Sequence, residues 1–399
     1  MSAPPLHVYL VAGEPSGDAL GARLMAALRA RTNGEVRFSG LGGPQMVEAG
    51  LVSLFDYGEL AVMGVFEILP RAVALLRRMR EVADDIAGKR PDVIVTIDVP
   101  AFAFGVAKRL PDHAVPRVHY GAPTIWAWRP WRVHKYKRAF DHILAVFPFE
   151  PPHFHRHGLA CTFVGHAVLD GGADRGDGPG FRHRHGIPPE AKVVCVLPGS
   201  RRGEVERLVR RFGGAVDALA RRRPGLVAVV PTVPNVAALV RVAAERWRTP
   251  AVIVATPAER HDAMAASDVA LAASGTVGLE LAMATVPAAI AYRVAPLTAL
   301  ALWLLLKVPY VSSTNLIVGR KVLPEFLQDD VRPEPMAEAL DAMLDDGPRR
   351  AEIAAAQREA MDALGRGGPS PSDRAAGVIL DIIGEWRAVG RPADGGGRR

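Results

Sequence analysis

A short apolar strand that runs into a turn of small residues and then into a helix recurs along this chain. That alternation constrains the fold more than any other feature. Leu6-His-Val-Tyr-Leu-Val-Ala12 leads into Gly13-Glu14-Pro15-Ser16-Gly17-Asp18 and an amphipathic helix from Ala19 to about Arg31. Further strands are expected at Val36–Leu41, Val93–Asp98, Arg117–Tyr120 and His142–Ala145. After a Gly/Asp-rich break at Gly171–Gly180 a second series begins, at Lys192–Leu197, Leu226–Pro231, Ala251–Ala255, Ser267–Ala273 and Val286–Ala291. Runs that are apolar throughout suit strands buried on both faces, and strands separated by helices suit parallel sheets. The fold class expected is α/β, with two Rossmann-like doubly wound domains.

A length of 399 residues also favours two domains. The expected boundaries are 1–170 for the first, 171–190 for a linker and 191–364 for the second. The bend Gly365-Arg-Gly-Gly-Pro-Ser-Pro-Ser372 precedes a last helix within 365–389, which can pack back on the first domain. A disordered tail is expected over 390–399.

Lys+Arg 49 against Asp+Glu 42 gives a net charge of +7, which favours anionic partners: phosphorylated substrates, nucleic acid or an acidic membrane surface. Cys161 and Cys195 lie far apart, which argues against a disulfide framework and against a cysteine zinc site. The N-terminus reads straight into a strand, without the pattern of a signal peptide. The longest apolar run, Leu297–Leu306, is well short of the roughly 20 residues that span a bilayer. The expectation is a cytoplasmic protein that rests on a membrane at most.

Two turns can seat a phosphate. Ser274-Gly275-Thr276 follows an apolar strand and opens a helix, where backbone N–H groups and the helix dipole favour an anion. Pro198-Gly199-Ser200-Arg201 ends another strand, and Arg201 can offer a bidentate fork to phosphate, with Glu204 just inside the following helix. Glu280 lies one turn after Thr276 and can accept hydrogen bonds from both hydroxyls of a ribose. The alternative is structural: Ser and Thr cap the helix and Glu280 pairs with an arginine. Asp98 ends its strand at the edge where α/β proteins bind ligands and is a candidate general base, or else the N-cap of the helix after Pro100. The Gly13–Asp18 loop carries neither a dinucleotide fingerprint nor a P-loop, so it marks a ligand edge without naming the ligand.

Trp126, Trp128 and Trp131 interleave with Arg129 and Arg132, a pattern that suits stacking on bases or sugars and equally suits buried loop anchors. His153, His155 and His157 alternate without completing a metal constellation, and the chain has no Asp-x-Asp triplet. Leu60–Pro70 is apolar and is followed by Arg71, Arg77, Arg78 and Arg80; with Leu297–Leu306 and Lys307 it offers two patches suited to an anionic bilayer surface. A core helix with a solvated basic face has the same pattern.

Seven stretches together resemble the lipid-A-disaccharide synthase family. They are Val11-Ala-Gly-Glu-Pro-Ser-Gly-Asp18, Ala61-Val-Met-Gly64, Trp126-Ala-Trp128-Arg129, Phe163-Val-Gly-His166, Leu197-Pro-Gly-Ser-Arg201, Ser274-Gly-Thr276 with Leu279-Glu280, and Asn315-Leu-Ile-Val-Gly319. The resemblance runs from about Val8 to Gln328. Pro15 departs from the alanine of many members, and Thr314 from the proline common before the asparagine.

The resemblance implies a GT-B glycosyltransferase fold, with two domains facing a cleft that closes over the donor. It implies an inverting transfer from UDP-2,3-diacylglucosamine to 2,3-diacylglucosamine 1-phosphate (lipid X), giving the β-1,6-linked disaccharide 1-phosphate and UDP. Asp98 would be the base. Gly199, Ser200, Arg201, Glu204, Ser274, Gly275, Thr276, Glu280 and Asn315 would hold the UDP donor. Glu14, Ser16, Gly17, Asp18, Met63, Trp128 and Arg129 would line the wall facing the sugar or acceptor. No cofactor, metal or nucleic acid is implied; the partners are the two acylated sugars and the inner-membrane surface, and oligomeric state is left open. A UDP-N-acetylglucosamine 2-epimerase-like enzyme of the same fold, and a non-catalytic membrane or nucleic-acid binder, are the alternatives.

Overall fold

A computed structural model of the chain describes residues 4–58, 68–111, 115–128, 130–295, 299, 308–345 and 347–388. The chain divides into two compact units, residues 1–167 with 368–399, and residues 168–367.

The first unit holds a seven-stranded sheet. In chain order its strands are β1 (Leu6–Ala12), β2 (Val36–Leu41), β3 (Val52–Ser53), β4 (Val93–Ile97), β5 (Arg117–Tyr120), β6 (His142–Ala145) and β7 (Ala160–Phe163). Their spatial order is β3-β2-β1-β4-β5-β6-β7, with every pairing parallel. β1 and β4 are buried along nearly their whole length, as their largely apolar runs require, and their polar members His7 and Thr96 are paired with Ser39 and His119. The helix Pro15–Arg31 covers one face, its Leu20, Leu24, Met25 and Leu28 buried against Val8, Leu10 and Val95. The helix Pro371–Ala388 lies on that same face, burying Ala375, Ala376, Ile379 and Ile383. Arg31 pairs with Asp373 at 2.7 Å and Arg387 with Asp92 at 2.8 Å.

The second unit repeats the plan with β8 (Val193–Leu197), β9 (Val227–Pro231), β10 (Ala251–Val254), β11 (Val269–Ala273), β12 (Ala288–Tyr292) and β13 (Glu325–Leu327). The order is β10-β9-β8-β11-β12-β13, again parallel throughout. The break at Gly171–Gly180 is built into this unit: Asp177 caps the helix Gly178–Arg184, and Phe181 is fully buried beside Val193 and Val229.

Proline places many of the helix starts. It occupies the first turn at Pro15, Pro44, Pro100, Pro234, Pro257, Pro333 and Pro348, where its fixed φ suits the helix and its missing N–H is not needed. In both sheets the chain starts at a central strand, builds outward on one side, then returns to build on the other. That puts a topological switch point between β1 and β4 in one unit and between β8 and β11 in the other, where doubly wound folds bind ligands.

Candidate functional site

Asp98 stands at the switch point of the first sheet, directly after β4. Its amide donates to the Tyr120 carbonyl at 3.0 Å, and the Ser16 hydroxyl donates to its Oδ2 at 3.2 Å. Asp98 and Val99 both adopt left-handed backbone, φ +52° and +41°. For a β-branched valine that conformation costs about 1–2 kcal/mol. The helix Pro100–Ala107 starts from Val99 with no side-chain cap bond, so Asp98 is not its cap. Gly121 has φ +95°, and a Cβ there would lie 2.8 Å from Asp98 Oδ1, so glycine leaves the carboxylate its space. Burial pushes the Asp98 pKa up, the Ser16 hydrogen bond opposes this, and the nearby Glu14 charge adds to it.

The loop entering from β1 separates into two roles. Glu14 and Ser16 are exposed beside Asp98, whereas Gly17 is buried and packs the helix against β4, a Cβ there meeting the Ile97 carbonyl at 3.4 Å. Asp18 corrects the sequence reading. Its carboxylate is buried and accepts from the amides of Gly43 and Met46 through Oδ1 (2.9 and 3.0 Å) and of Gln45 through Oδ2 (3.0 Å). It anchors the helix Pro44–Glu48.

In the second unit a cavity of ≈ 320 Å³ opens at the switch point, between the Gly199–Arg201 turn after β8 and the Ser274–Val277 turn after β11. Thr232 and Val233, following β9, and Arg260 complete its wall. Gly199 (φ +116°) makes the first turn, and a Cβ there would sit 2.8 Å from Glu204 Oε2. Glu204 Oε2 accepts from the Arg201 amide at 3.3 Å, and the Arg201 guanidinium lies 3.5 Å from Oε1. With its side chain 82 % exposed, Arg201 is lightly held and free to meet an anion. Asn235 donates to the Ser200 carbonyl at 3.0 Å and steadies the turn.

Ser274 is more committed than its sequence suggests: its amide donates to the Ala291 carbonyl at 2.9 Å and its hydroxyl to the Val311 carbonyl at 3.0 Å. Thr276 is already helical, with no side-chain cap bond. The exposed part of the turn is therefore Gly275-Thr276 with its amides. Glu280 Oε2 lies 2.6 Å from Arg260 Nη2, which is the arginine partner the structural alternative calls for. Burial raises the Glu280 pKa, while the charges of Arg260 and His261 act the other way.

Asn315 is the second correction. It is fully buried, and its amide is saturated within its own loop: Nδ2 donates to the Leu323 carbonyl (3.0 Å) and Glu325 Oε1 (2.8 Å), and Oδ1 accepts from the amides of Val322 (3.0 Å) and Leu323 (2.9 Å). It holds the approach to β13 and has no bond left for a donor.

The backbone of Trp128 closes the short helix Ile125–Trp128; its side chain, Arg129 and Met63 lie outside the described residues. So do most of the apolar segments Leu60–Pro70 and Leu297–Leu306, and the 390–399 tail. The histidines of the alternating run separate: His155 Nε2 is 2.8 Å from the Cys161 carbonyl, and His157 sits edge-on to His134 at 5.2 Å. Among the described residues no group of three His, Cys, Asp or Glu is placed to hold a metal, and no helix is long and apolar enough to cross a membrane.

The match to known proteins decides the family. Residues 8–376 fit the family described as Lipid-A-disaccharide synthetase. The lipid-A-disaccharide synthase of Rhodospirillum centenum is 49 % identical over 381 residues, covering 95 % of each chain. The chain belongs to the lipid-A-disaccharide synthase family. It is accordingly an enzyme, a glycosyltransferase of lipid A biosynthesis. Among solved structures, the S. aureus MnaA–UDP co-structure aligns with a TM-score of 0.65 at 14 % identity, covering 98 % of this chain and 100 % of its own. Acinetobacter baumannii MurG aligns at 0.58 and 12 % identity, covering 95 % and 100 %. At such identities the likeness speaks for the fold, which is GT-B.

Three residues at these sites emerge only from the packed structure: Arg260, Asn235 and Gly121. None lies in a recognisable motif. Arg260 sits in the second turn of an ordinary helix, Pro257–Ala265, and only the folding of β9, β10 and β11 around β8 brings it to Glu280.

Proposed function

We propose that the enzyme transfers the acylated sugar of UDP-2,3-diacylglucosamine to the 6-hydroxyl of 2,3-diacylglucosamine 1-phosphate, releasing UDP. The observation that carries the donor assignment is the second unit's cavity, walled by two strand-end turns and by Arg201 and Arg260. In this reading the Gly275 and Thr276 amides and the Arg201 guanidinium receive the diphosphate, and Glu280 receives the ribose. The preorganised positive potential of those amides and of Arg201 stabilises the charge that develops on UDP as the glycosidic bond breaks.

Asp98 is the base. Passing from an α-linked donor to a β product requires inversion, most simply one in-line displacement at the anomeric carbon. The acceptor hydroxyl loses its proton as its oxygen bonds to that carbon, and Asp98 takes the proton. Ser16 occupies Oδ2, which leaves Oδ1, in the space that Gly121 keeps open, for the acceptor. Glu14 borders the same corner.

The acylated substrates also suit a surface reading, in which the enzyme works against the inner face of an anionic membrane. On the helix Ile68–Lys89, Val73 and Leu76 are exposed next to the exposed Arg77 and Arg80, an apolar–basic mixture that suits lipid headgroups. Incubation with the two acylated sugars and mass analysis of the products tests the whole assignment. A tetraacyl disaccharide 1-phosphate with stoichiometric UDP is expected. An epimerised sugar nucleotide, or no product from this pair, overturns it.

A further inference from the structure

Arg260, in the wall of the donor cavity, also touches the carboxylate offered to the ribose. Its Nη2 lies 2.6 Å from Glu280 Oε2, and both side chains are partly shielded, Arg260 35 % and Glu280 20 % exposed. Oε2 is buried and meets the guanidinium as an ion pair, without a hydrogen bond of good angle; among the described residues no hydrogen bond or ion pair engages Oε1, and Glu280 stands behind the cavity lining rather than in it. Arg260 also lines the cavity between the Gly199–Arg201 and Ser274–Val277 turns. A carboxylate drawn this far out of water stays ionised only when a cation accompanies it.

We propose that Arg260 is a positioning residue for the donor: it clamps Glu280 through Oε2 and presents Oε1, ionised and oriented, to the ribose hydroxyls of the nucleoside diphosphate. The inference rests on the donor-site reading and deepens it. It makes the preference for ribose a property of the pair rather than of Glu280 alone.

The chemistry gives the pair a pH signature. An ionised Glu280 accepts from both ribose hydroxyls, and a protonated one gives up an acceptor. Among the described residues, the titratable and charged groups that act on Glu280 are Arg260 and His261 on the helix Pro257–Ala265, with the buried Cys195 on β8 beside it. Cys195 is held as a thiol, its pKa pushed up to about 12 mainly by burial, so it does not titrate in the working range. Burial already raises the Glu280 pKa, and Arg260 is the first of the charges that oppose this. Taking Arg260 away therefore moves the protonation of Glu280 to higher pH.

The test is calorimetric titration of the whole protein with UDP and with 2′,3′-dideoxy-UDP, from pH 6 to pH 9. The proteins are wild type, Arg260→Met, Arg260→Lys and Arg260→Met with Glu280→Gln. Wild type is expected to prefer UDP over the dideoxy analogue by at least tenfold across the range. In Arg260→Met that preference falls to about twofold at pH 6 and returns as pH rises, because the carboxylate ionises again. Arg260→Lys keeps most of the preference. The double variant removes the stranded carboxylate, so it folds where the single one fails, and its small preference is flat with pH. His261 is common to all four proteins, so a difference between them reports Arg260. Equal weakening of both nucleotides in Arg260→Met overturns the positioning role and makes Arg260 a diphosphate contact. Failure of wild type to bind UDP at all overturns the donor reading, and this inference with it.

Discussion

Replacing Asn315 with aspartate changes one atom of a buried amide and leaves its shape alone. In the wild type the nitrogen half donates to the Leu323 carbonyl and to Glu325 Oε1, the latter at 2.8 Å. Aspartate turns that donor into a second oxygen facing a carbonyl and a carboxylate. Two like charges at that separation repel by about 6 kcal/mol at an effective dielectric of about 20. The pair escapes by binding a proton. For a carboxyl with an ordinary pKa near 4 this costs about 1.4 kcal/mol per pH unit, so about 4 kcal/mol at pH 7 and about 1.4 at pH 5. The proton restores only one donation, and the Leu323 carbonyl loses its partner for about 1 kcal/mol more.

The expected deficit of Asn315→Asp is therefore about 5 kcal/mol at pH 7 and about 2.5 at pH 5. The sign follows from linkage: the folded pair binds a proton that the unfolded chain releases, so stability rises as pH falls through the raised folded pKa. Urea unfolding of variant and wild type at the two pH values measures both numbers. A loss of that size approaches the whole stability of a domain, so a variant unfolded at pH 7 and folded at pH 5 also fits. The reasoning is refuted by a deficit under about 1 kcal/mol at pH 7, or by one that does not shrink at pH 5. At pH 5 the folded variant is expected to bind UDP within about threefold of wild type, since Asn315 holds its own loop rather than a ligand.

Three substitutions in the first unit give further expected outcomes. Asp98→Asn is expected to lower turnover by roughly 10²–10⁴-fold while leaving UDP affinity unchanged, and wild-type-like kcat removes Asp98 as the base. Because burial raises the Asp98 pKa, wild-type kcat/KM should fall as pH drops through it. The same shift makes the ionised form a burden at neutral pH: stability tied to the protonated carboxyl is lost as pH rises through the folded pKa, so Asp98→Asn should melt no lower than wild type at pH 7. Gly121→Ala puts a Cβ 2.8 Å from Asp98 Oδ1 at φ +95°, and is expected to cost about 1–2 kcal/mol and to slow turnover without weakening UDP. Asp18→Ala strands the amides of Gly43, Gln45 and Met46; a loss of about 2–4 kcal/mol in urea unfolding with unchanged UDP affinity is expected, and weakened UDP affinity would return Asp18 to the ligand wall.

The long strands were legible because burial on both faces demands a mostly apolar run, and β1, β4, β8 and β11 each have one, interrupted only by His7 and Thr96, which are buried with hydrogen-bond partners. β3, β7 and β13 were not: they are two to four residues long, and β7 (Ala-Cys-Thr-Phe) and β13 (Glu-Phe-Leu) carry polar residues. Pairing with a neighbour already in place makes them strands, and no local pattern records that neighbour.

The same division runs through the site. Local sequence determined the strand-end turns, since only small residues or glycine fit where a strand hands over to a helix beside a ligand edge. It also set the candidate base at the end of β4. What tertiary structure alone decided is which polar groups remain available. Asp18 and Asn315 belong to family-like motifs as fully as Asp98 does, yet their hydrogen-bonding capacity is consumed by the backbone amides and carbonyls of segments about 25 and 7 residues away. Asp98 remains available because two left-handed residues and Gly121 hold it clear of such partners. Arg260 enters the site from 20 residues before Glu280, on the helix that follows β10, a strand separated from β11 by β9 and β8 in the second sheet. A polar side chain reads alike in sequence whether its bonds will go to the protein or to a ligand, and only the packed structure supplies the competitors that settle it.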